Sequence, residues 1–504
     1  MIDLVLIHPG AVHGIYGELG GTLTAIEQAL WCRIIASYFL DRGKTVAIID
    51  QEAEHLSPEQ VAIKVTFYRP RLVAICVHGH QPSASTQQMT GARAVAQAIR
   101  VLLFPPPILM LGNHPSALPE RTLREEPVDF VCDGEGPLTI EGLLEQIHKH
   151  GGVWYPQEIP GLVWSHPTCG GDERAVANPR APLLDLDCDL HGSSAWHLLP
   201  MHLYRAHNWQ CLEDPTRRQP YASIHTSLGC SFKCHFCMIN VFQHSNVYRR
   251  RDPRKVVDEI VMLYREYGIR TFKITDELFV LNRGHFREIC HRLIASGIAD
   301  DLNIWAYSRT DTVHDDDLPL LRKAGIKWLA LGIEAGSAHV RAGANKRLRA
   351  GQDDNAEIRR VVAMIQAAGI NVIGNYIFGL RGDTMETMGE TLDLARSLRT
   401  EFANFYCAMA YPGSPLYDQA LAEGWTPPSS WAGYSQHNSV SRPLDTETVP
   451  AAEVLRFRDT AFTCYFTDPG YLAMIRDKFG QAAVEEIRRM TSYTLKRDLL
   501  EEAK

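Results

Sequence analysis

The chain has 504 residues, of which 45% are hydrophobic and 22% charged, with a formal net charge of −8. At about 150 residues per domain this length divides into two or three domains of ordinary globular composition. No apolar run approaches the ~18 residues of a membrane-spanning helix. An acidic balance without a long basic run argues against a nucleic-acid partner.

Residues 1–150 alternate short apolar runs with longer amphipathic ones. Strands are expected at 3–8, 45–49, 71–77, 107–112 and 128–132, and helices at 22–40, 57–67, 85–100, 118–125 and 137–149. Such alternation requires right-handed crossovers and yields a doubly wound α/β domain, with ligand loops at the carboxyl ends of its strands. Those loops read "HPGAVHG", "CVHGHQPSAST", "LGNHPSALPE" and "CDGEGP". Their small residues suit close approach of backbone to a large ligand.

Residues 151–220 show little periodicity and read as a wrapping linker with a small hairpin near 161–164 and 174–179. Alternation resumes over 221–415, with strands at 221–228, 269–275, 302–308, 327–334, 371–378 and 402–408. Helices at 253–267, 284–296, 315–324, 355–368 and 384–398 separate them. Six βα units point to a partial barrel with its site at the strands' carboxyl ends. Residues 416–504 read as a helical region placed to cap the substrate. Two stretches are candidate cavity linings: the loop 429–440, with Trp431, Tyr434, Gln436 and His437, whose aromatics read first as packing, and residues 207–220.

No basic segment followed by a cleavage site opens the chain, so the expected compartment is the cytoplasm. In that reducing setting isolated cysteines such as Cys32, Cys76 and Cys132 act as small buried hydrophobes. The triplet Arg249, Arg250, Arg251 reads as a solvated loop and helix start.

One cluster asks for chemistry. "SLGCSFKCHFCMINVF" (227–242) sets Cys230, Cys234 and Cys237 in a C-x3-C-x2-C spacing after the first barrel strand. A structural zinc site takes four ligands, usually from two separated pairs. Here there is one trio, and His235 lies inside the same tight turn. A [4Fe-4S] cluster on three thiolates leaves its fourth iron free for a ligand.

This spacing, with Phe236 before the third cysteine, resembles the radical SAM enzymes. The resemblance covers about 221–410. It implies that the open iron binds S-adenosylmethionine, cleaved on reduction to a 5′-deoxyadenosyl radical by an electron from a donor such as flavodoxin or ferredoxin. It places Phe236 beside the adenine. "TDELF" (275–279) stands where the family often has a Gly-Gly-Glu motif and lacks both glycines; Asp276 and Glu277 are its candidate acceptors for the methionine ammonium. Arg309 of "SRTD" is the candidate for the carboxylate, and Glu334 and Ser337 of "GIEAGS" face the cofactor.

A doubly wound domain ahead of such a barrel resembles the cobalamin-binding class of that superfamily. The resemblance implies corrin contacts from Gly79, Gln81 and Ser83, from Gly112, Asn113 and His114, and from Gly134, Glu135 and Gly136. The D-x-H-x-x-G motif of other corrinoid proteins is broken in "GAVHGIYG" (10–17), where Ala11 and Tyr16 replace Asp and Gly. His13 therefore lacks its orienting carboxylate, and no protein histidine on cobalt is expected. The implied activity is methylation of an unactivated carbon of a small-molecule substrate. Alternatives are a non-methylating oxidation, cyclisation or ring contraction with the same cofactors, a methylthiotransferase with a second cluster, and a cobalamin sensor.

Overall fold

The computed structural model describes residues 1–10, 24–79, 81, 84–167, 173–346 and 354–502. Five short apolar runs form parallel strands β1 (Ile2–His8), β2 (Val46–Asp50), β3 (Pro70–Val77), β4 (Ile108–Gly112) and β5 (Phe130–Cys132). Their two-residue period sorts the side chains. Val5, Ile7, Val73, Ile75 and Met110 pack with helices Pro58–Tyr68 and Ser85–Arg100. Leu4, Leu6, Leu72, Ala74 and Leu109 join helices Leu30–Leu40 and Pro137–His150 in a core that continues into the second sheet. Both faces are covered, as a parallel sheet requires.

The expected end of this unit at 150 is corrected. Strands β6 (Leu162–Pro167) and β7 (Glu173–Ala177) form the anticipated hairpin, but it pairs antiparallel with β5 and gives a seven-stranded sheet, β2-β1-β3-β4-β5-β6-β7. Without it the backbone groups of β5 would lie on an open edge. The non-repeating, turn-rich remainder of 151–220 wraps between the sheets.

The run 221–228 is broken at His225 and Thr226, ahead of the cysteine segment. Strand β8 (Tyr221–Ile224) stops first, and β9 (Ser227–Leu228) pairs antiparallel with β10 (Arg249–Arg250) to close a loop that carries all three thiols. Strands β11 (Thr271–Ile274), β12 (Asn303–Arg309), β13 (Ile326–Glu334), β14 (Asn371–Phe378) and β15 (Phe402–Cys407) follow. With β8 they form a parallel sheet in the order β15-β14-β13-β12-β11-β8.

Six strands leave a barrel open, and residues from the first unit cover its β8 edge. Gln28 Nε2 donates to the Tyr221 carbonyl at 2.6 Å, and Gln28 Oε1 accepts from the Ser223 amide at 2.7 Å. Beside it a buried ion pair joins Lys273 Nζ to Glu27 at 2.8 Å.

The amino end of the barrel is plugged by Trp209, which contacts Trp305, Trp328 and Phe402. Gln210 Nε2 donates to the carbonyls of Phe272 and Asn303 there. Residues 207–220 thus close the end opposite the thiols, a correction to their expected place beside the site. The helices Ala451–Phe466, Pro469–Phe479 and Gln481–Thr491 complete the chain. Among the described residues no helix is long and apolar enough to cross a membrane.

The arginine triplet is also corrected. Arg251 is buried, donates to the His225 carbonyl at 2.9 Å and pairs with Glu259 at 2.7 Å; Arg249 pairs with Glu135, and Arg250 alone is exposed. Buried carboxylates on both sides demand these cations.

Candidate functional site

The three thiols lie on the loop closed by β9 and β10, and its shape is fixed by side-chain amides. Asn240 accepts from the Cys230 amide at 3.1 Å and donates to the Cys230 carbonyl at 2.7 Å. The Cys237 amide donates to the Cys234 carbonyl, and Asn345 Nδ2 holds the Lys233 carbonyl at 2.7 Å. Gly229, at φ +89°, has no room for a Cβ, which would collide with the Val247 carbonyl. Asn240 and Asn345 carry no motif and were not legible in the sequence.

Burial pushes the Cys230 thiol up to about 11 and the Cys237 thiol up to about 12. Metal ligation is what makes such buried sulfurs thiolates. Among the described residues, no three His, Cys, Asp or Glu side chains converge as ligands of one ion would. In a cubane the thiolates sit on different irons and stand apart.

Asp276 and Glu277, expected to share one role, are divided. Asp276 is fully buried and accepts from the Thr226 amide and hydroxyl and from the Ser227 hydroxyl at 2.5–2.6 Å. Three of its acceptor positions are thus taken up at the base of the cysteine loop. Glu277 has a buried Oε2 without a partner, and burial, with the Asp276 charge adding to it, pushes its carboxyl up to about 8.

Arg309 is sandwiched at the same mouth. It forms a double ion pair with Asp311 at 2.8 and 3.0 Å, lies 4.0 Å over the Phe232 ring and donates to Cys234 Sγ at 3.5 Å. Glu334 ends β13 at φ +69°, a backbone that side chains with a Cβ rarely adopt. Its carboxylate pairs with the buried Lys346, a partner with no sequence signal. Ser337 precedes the helix Ala338–Gly343 and makes no capping bond. Phe236 is half-buried among Ala335, Ala408 and Leu416 at the ends of β13 and β15.

The carboxyl end of the first sheet supplies a second lining. Gly112 has φ +131°, and a Cβ there would collide with the Val77 carbonyl, so only glycine lets β4 end against β3. A Cβ on Gly79 would strike the Gln81 carbonyl and Ala84. Next to them His78 Nδ1 donates to Asn113 Oδ1 at 2.7 Å, and His114 Nδ1 lies 3.2 Å from the Thr86 hydroxyl. Burial pushes both imidazoles down to about 3, so both are neutral. His78 Nε2, His114 Nε2 and Asn113 Nδ2 are buried without partners. Gly134, at φ +145°, borders open space, and Gly136 starts the helix Pro137–His150. Orphaned donors and acceptors beside a bare glycine turn fit an amide-rimmed macrocycle.

Glu135 accepts from the Leu184 amide at 2.9 Å and pairs with Arg249 of the cysteine loop. Gln81 is half-buried. Ser83 and His13 lie outside the described residues. His78 and Trp31, stacked at 4.7 Å, were missed, although His78 stands in a quoted loop.

The aromatic loop lies against this end. Trp431 meets His114 edge-on at 4.5 Å, and Arg121 stacks on its other side at 4.6 Å. Gln436 bonds both backbone groups of Cys407 at the end of β15. The loop thus spans from one sheet's carboxyl end to the other's.

Two family models match the chain: one described as the radical SAM superfamily over residues 224–395, the other as a B12 binding domain over residues 19–144. An uncharacterized methyltransferase of Pyrococcus horikoshii is 27% identical over 435 residues, 86% of each chain. An anaerobic magnesium-protoporphyrin IX monomethyl ester cyclase of Rubrivivax gelatinosus is 28% identical over 82% of this chain and 69% of its own. The fold is shared with the radical S-adenosylmethionine methyltransferase TsrM of Kitasatospora setae, solved with cobalamin and a [4Fe-4S] cluster. That match has a TM-score of 0.68 at 17% identity and covers 98% of this chain and 100% of that one. The cofactors of these two domain types are a [4Fe-4S] cluster with S-adenosylmethionine, and cobalamin. Residues 224–395 thus belong to the radical SAM superfamily, and residues 19–144 ahead of them form a B12 binding domain.

Proposed function

We propose that this chain is a cobalamin-dependent radical SAM methyltransferase that methylates an unactivated carbon of a small molecule. The observation that supports it most is the meeting of the two carboxyl ends: the cysteine loop touches the turns after β3 and β5, and the aromatic loop touches the turn after β4. When bound, the cluster with S-adenosylmethionine supplies a hydrogen-abstracting radical and cobalamin supplies the methyl group.

The chain's own residues then have distinct tasks. Cys230, Cys234 and Cys237 hold the cluster. Glu277 accepts from the ammonium of S-adenosylmethionine, and Arg309 orients its carboxylate. Ser337 offers a hydroxyl at the end of β13, and Phe236 packs against the adenine. Gly112, Asn113, His114 and Gly134 receive the corrin, with Gly79 and Gln81 beside them. The covering loop, with Trp431, excludes water from a radical that water-borne side reactions would quench. An electron donor of the flavodoxin or ferredoxin kind completes the system.

The test is incubation of the reduced, reconstituted enzyme with methyl-labelled S-adenosylmethionine and extracts containing candidate substrates. Label in a small-molecule product is expected. Formation of 5′-deoxyadenosine with product but no label would replace this reading by the cyclisation reading, which the Rubrivivax relative favours.

A further inference from the structure

The limb of the cysteine loop that follows the last thiol makes contacts that ligation does not need. Phe242, five residues beyond Cys237, packs edge-on against Trp31 at 5.1 Å and against His78, after β3, at 5.8 Å. His244 Nε2 donates to Asp133, after β5, at 2.6 Å, and Asp133 also pairs with Arg180 at 2.7 Å. Arg249 pairs with Glu135 of the same turn and donates to the Leu184 carbonyl at 2.8 Å.

The same limb is fastened at its other side to the thiols. Arg249 and Arg250 pair with Leu228 and Ser227, and Val247 presses on Gly229, the residue before Cys230. Asn240 bonds Cys230 and also donates to Asn246 at 2.7 Å. His244 is held at φ +48°.

We infer that residues 242–249 are a positioning strut that sets the separation between the iron–sulfur cluster and the corrin, through Phe242, His244–Asp133 and Arg249–Glu135. This rests on the cofactor reading above. These residues touch neither reacting atom; they act by holding the cysteine loop against the turns after β3 and β5. Two charge-assisted contacts to one turn and an aromatic contact to another fix orientation as well as distance. Transfer between two bound groups depends steeply on such placement.

The test uses the full chain with cluster and cobalamin bound, reduced so that the cluster and cob(II)alamin are both paramagnetic. Pulsed EPR reads their dipolar splitting. A narrow splitting is expected for the wild type and a broadened one for His244→Ala and for Glu135→Gln, with iron per chain unchanged. Exchanging the charges, Glu135→Arg with Arg249→Glu, restores the narrow splitting where either change alone does not. Splitting unaltered in the His244→Ala, Glu135→Gln double variant overturns the strut.

A wild-type chain that retains cluster but no cobalamin overturns the cofactor reading. The strut is then judged by hydrogen exchange of the cofactor-free chain. Residues 131–136 and 242–249 lose protection together in the variants if the strut exists. Independent exchange of the two segments overturns it.

Discussion

Asp276 and Thr226 are joined twice, from the Thr226 amide to Oδ1 at 2.6 Å and from its hydroxyl to Oδ2 at 2.5 Å. The neighbouring Glu277 keeps a buried oxygen with no partner. Two adjacent carboxylates therefore answer to different experiments. Asp276→Ala leaves buried donors unmatched and lowers stability by about 1–3 kcal/mol, with a parallel loss of bound iron as the loop base loosens. Glu277→Gln keeps iron at about four per chain and weakens S-adenosylmethionine binding. Iron assay and equilibrium dialysis separate the two. Equal iron loss in both variants would show that Glu277 also supports the loop.

Glu259 lies between Arg33 at 3.0 Å and Arg251 at 2.7 Å, all three buried, and joins helix Leu30–Leu40 of the first sheet to helix Pro253–Tyr267 of the barrel. Burial pushes the Glu259 carboxyl up, but Arg251 and Arg33 outweigh that and hold it below its usual range. Removing the anion leaves two buried cations facing each other. Glu259→Gln is expected to cost about 3–5 kcal/mol, read as a fall in the urea midpoint. A loss under 1 kcal/mol would mean that water enters and solvates the arginines.

How much of this was legible depends on which physical signal a residue carries. The five parallel strands and six βα units follow from period and alternation, because burial on both faces forces continuous apolar runs. The thiol trio follows from spacing, since three thiols within eight residues are close enough to serve one cluster. The β6–β7 hairpin was visible, but its partner was not: nothing in "GLVW" says that it will cover β5. Asp276 and Glu277 are interchangeable as letters and differ only in which neighbours their oxygens meet. Arg249 looked solvated because its partner Glu135 lies 114 residues earlier, whereas Arg251 pairs with Glu259 only eight residues on, in the next helix, where charge spacing alone did not single it out. Pairings at long separation leave no local trace.

Acid should weaken this fold at the carboxyl end of its first sheet. His78 and His114 are pushed down to about 3, chiefly by burial, with His8 and Arg121 respectively acting in the same direction. Unfolded, each titrates near 6.5. Between about 6.5 and 3 the unfolded chain binds the more protons, so stability falls as pH drops through that window. The slope is about 1.4 kcal/mol per pH unit for each histidine once well below 6.5. His114→Gln should flatten the dependence of the urea midpoint on pH between 6 and 4. An unchanged slope would show that other groups carry it.

The two glycines at the carboxyl end of the first sheet should lose cobalamin for different reasons when given the same methyl group. At Gly112 a Cβ meets the Val77 carbonyl, and φ is +131°. Backbone cannot retreat as a side chain can, so Gly112→Ala must part β4 from β3 and is expected to lower stability and cobalamin retention together. At Gly134 φ is +145°, but nothing lies within 4 Å of the added carbon. Gly134→Ala pays only the backbone strain, about 1–3 kcal/mol, and places its methyl in the open space beside the orphaned imidazoles. It should fold, bind iron as the wild type does and retain less cobalamin, as measured by absorbance after gel filtration. Full cobalamin retention by Gly134→Ala would move the corrin away from this turn and leave His78, Asn113 and His114 as its remaining contacts.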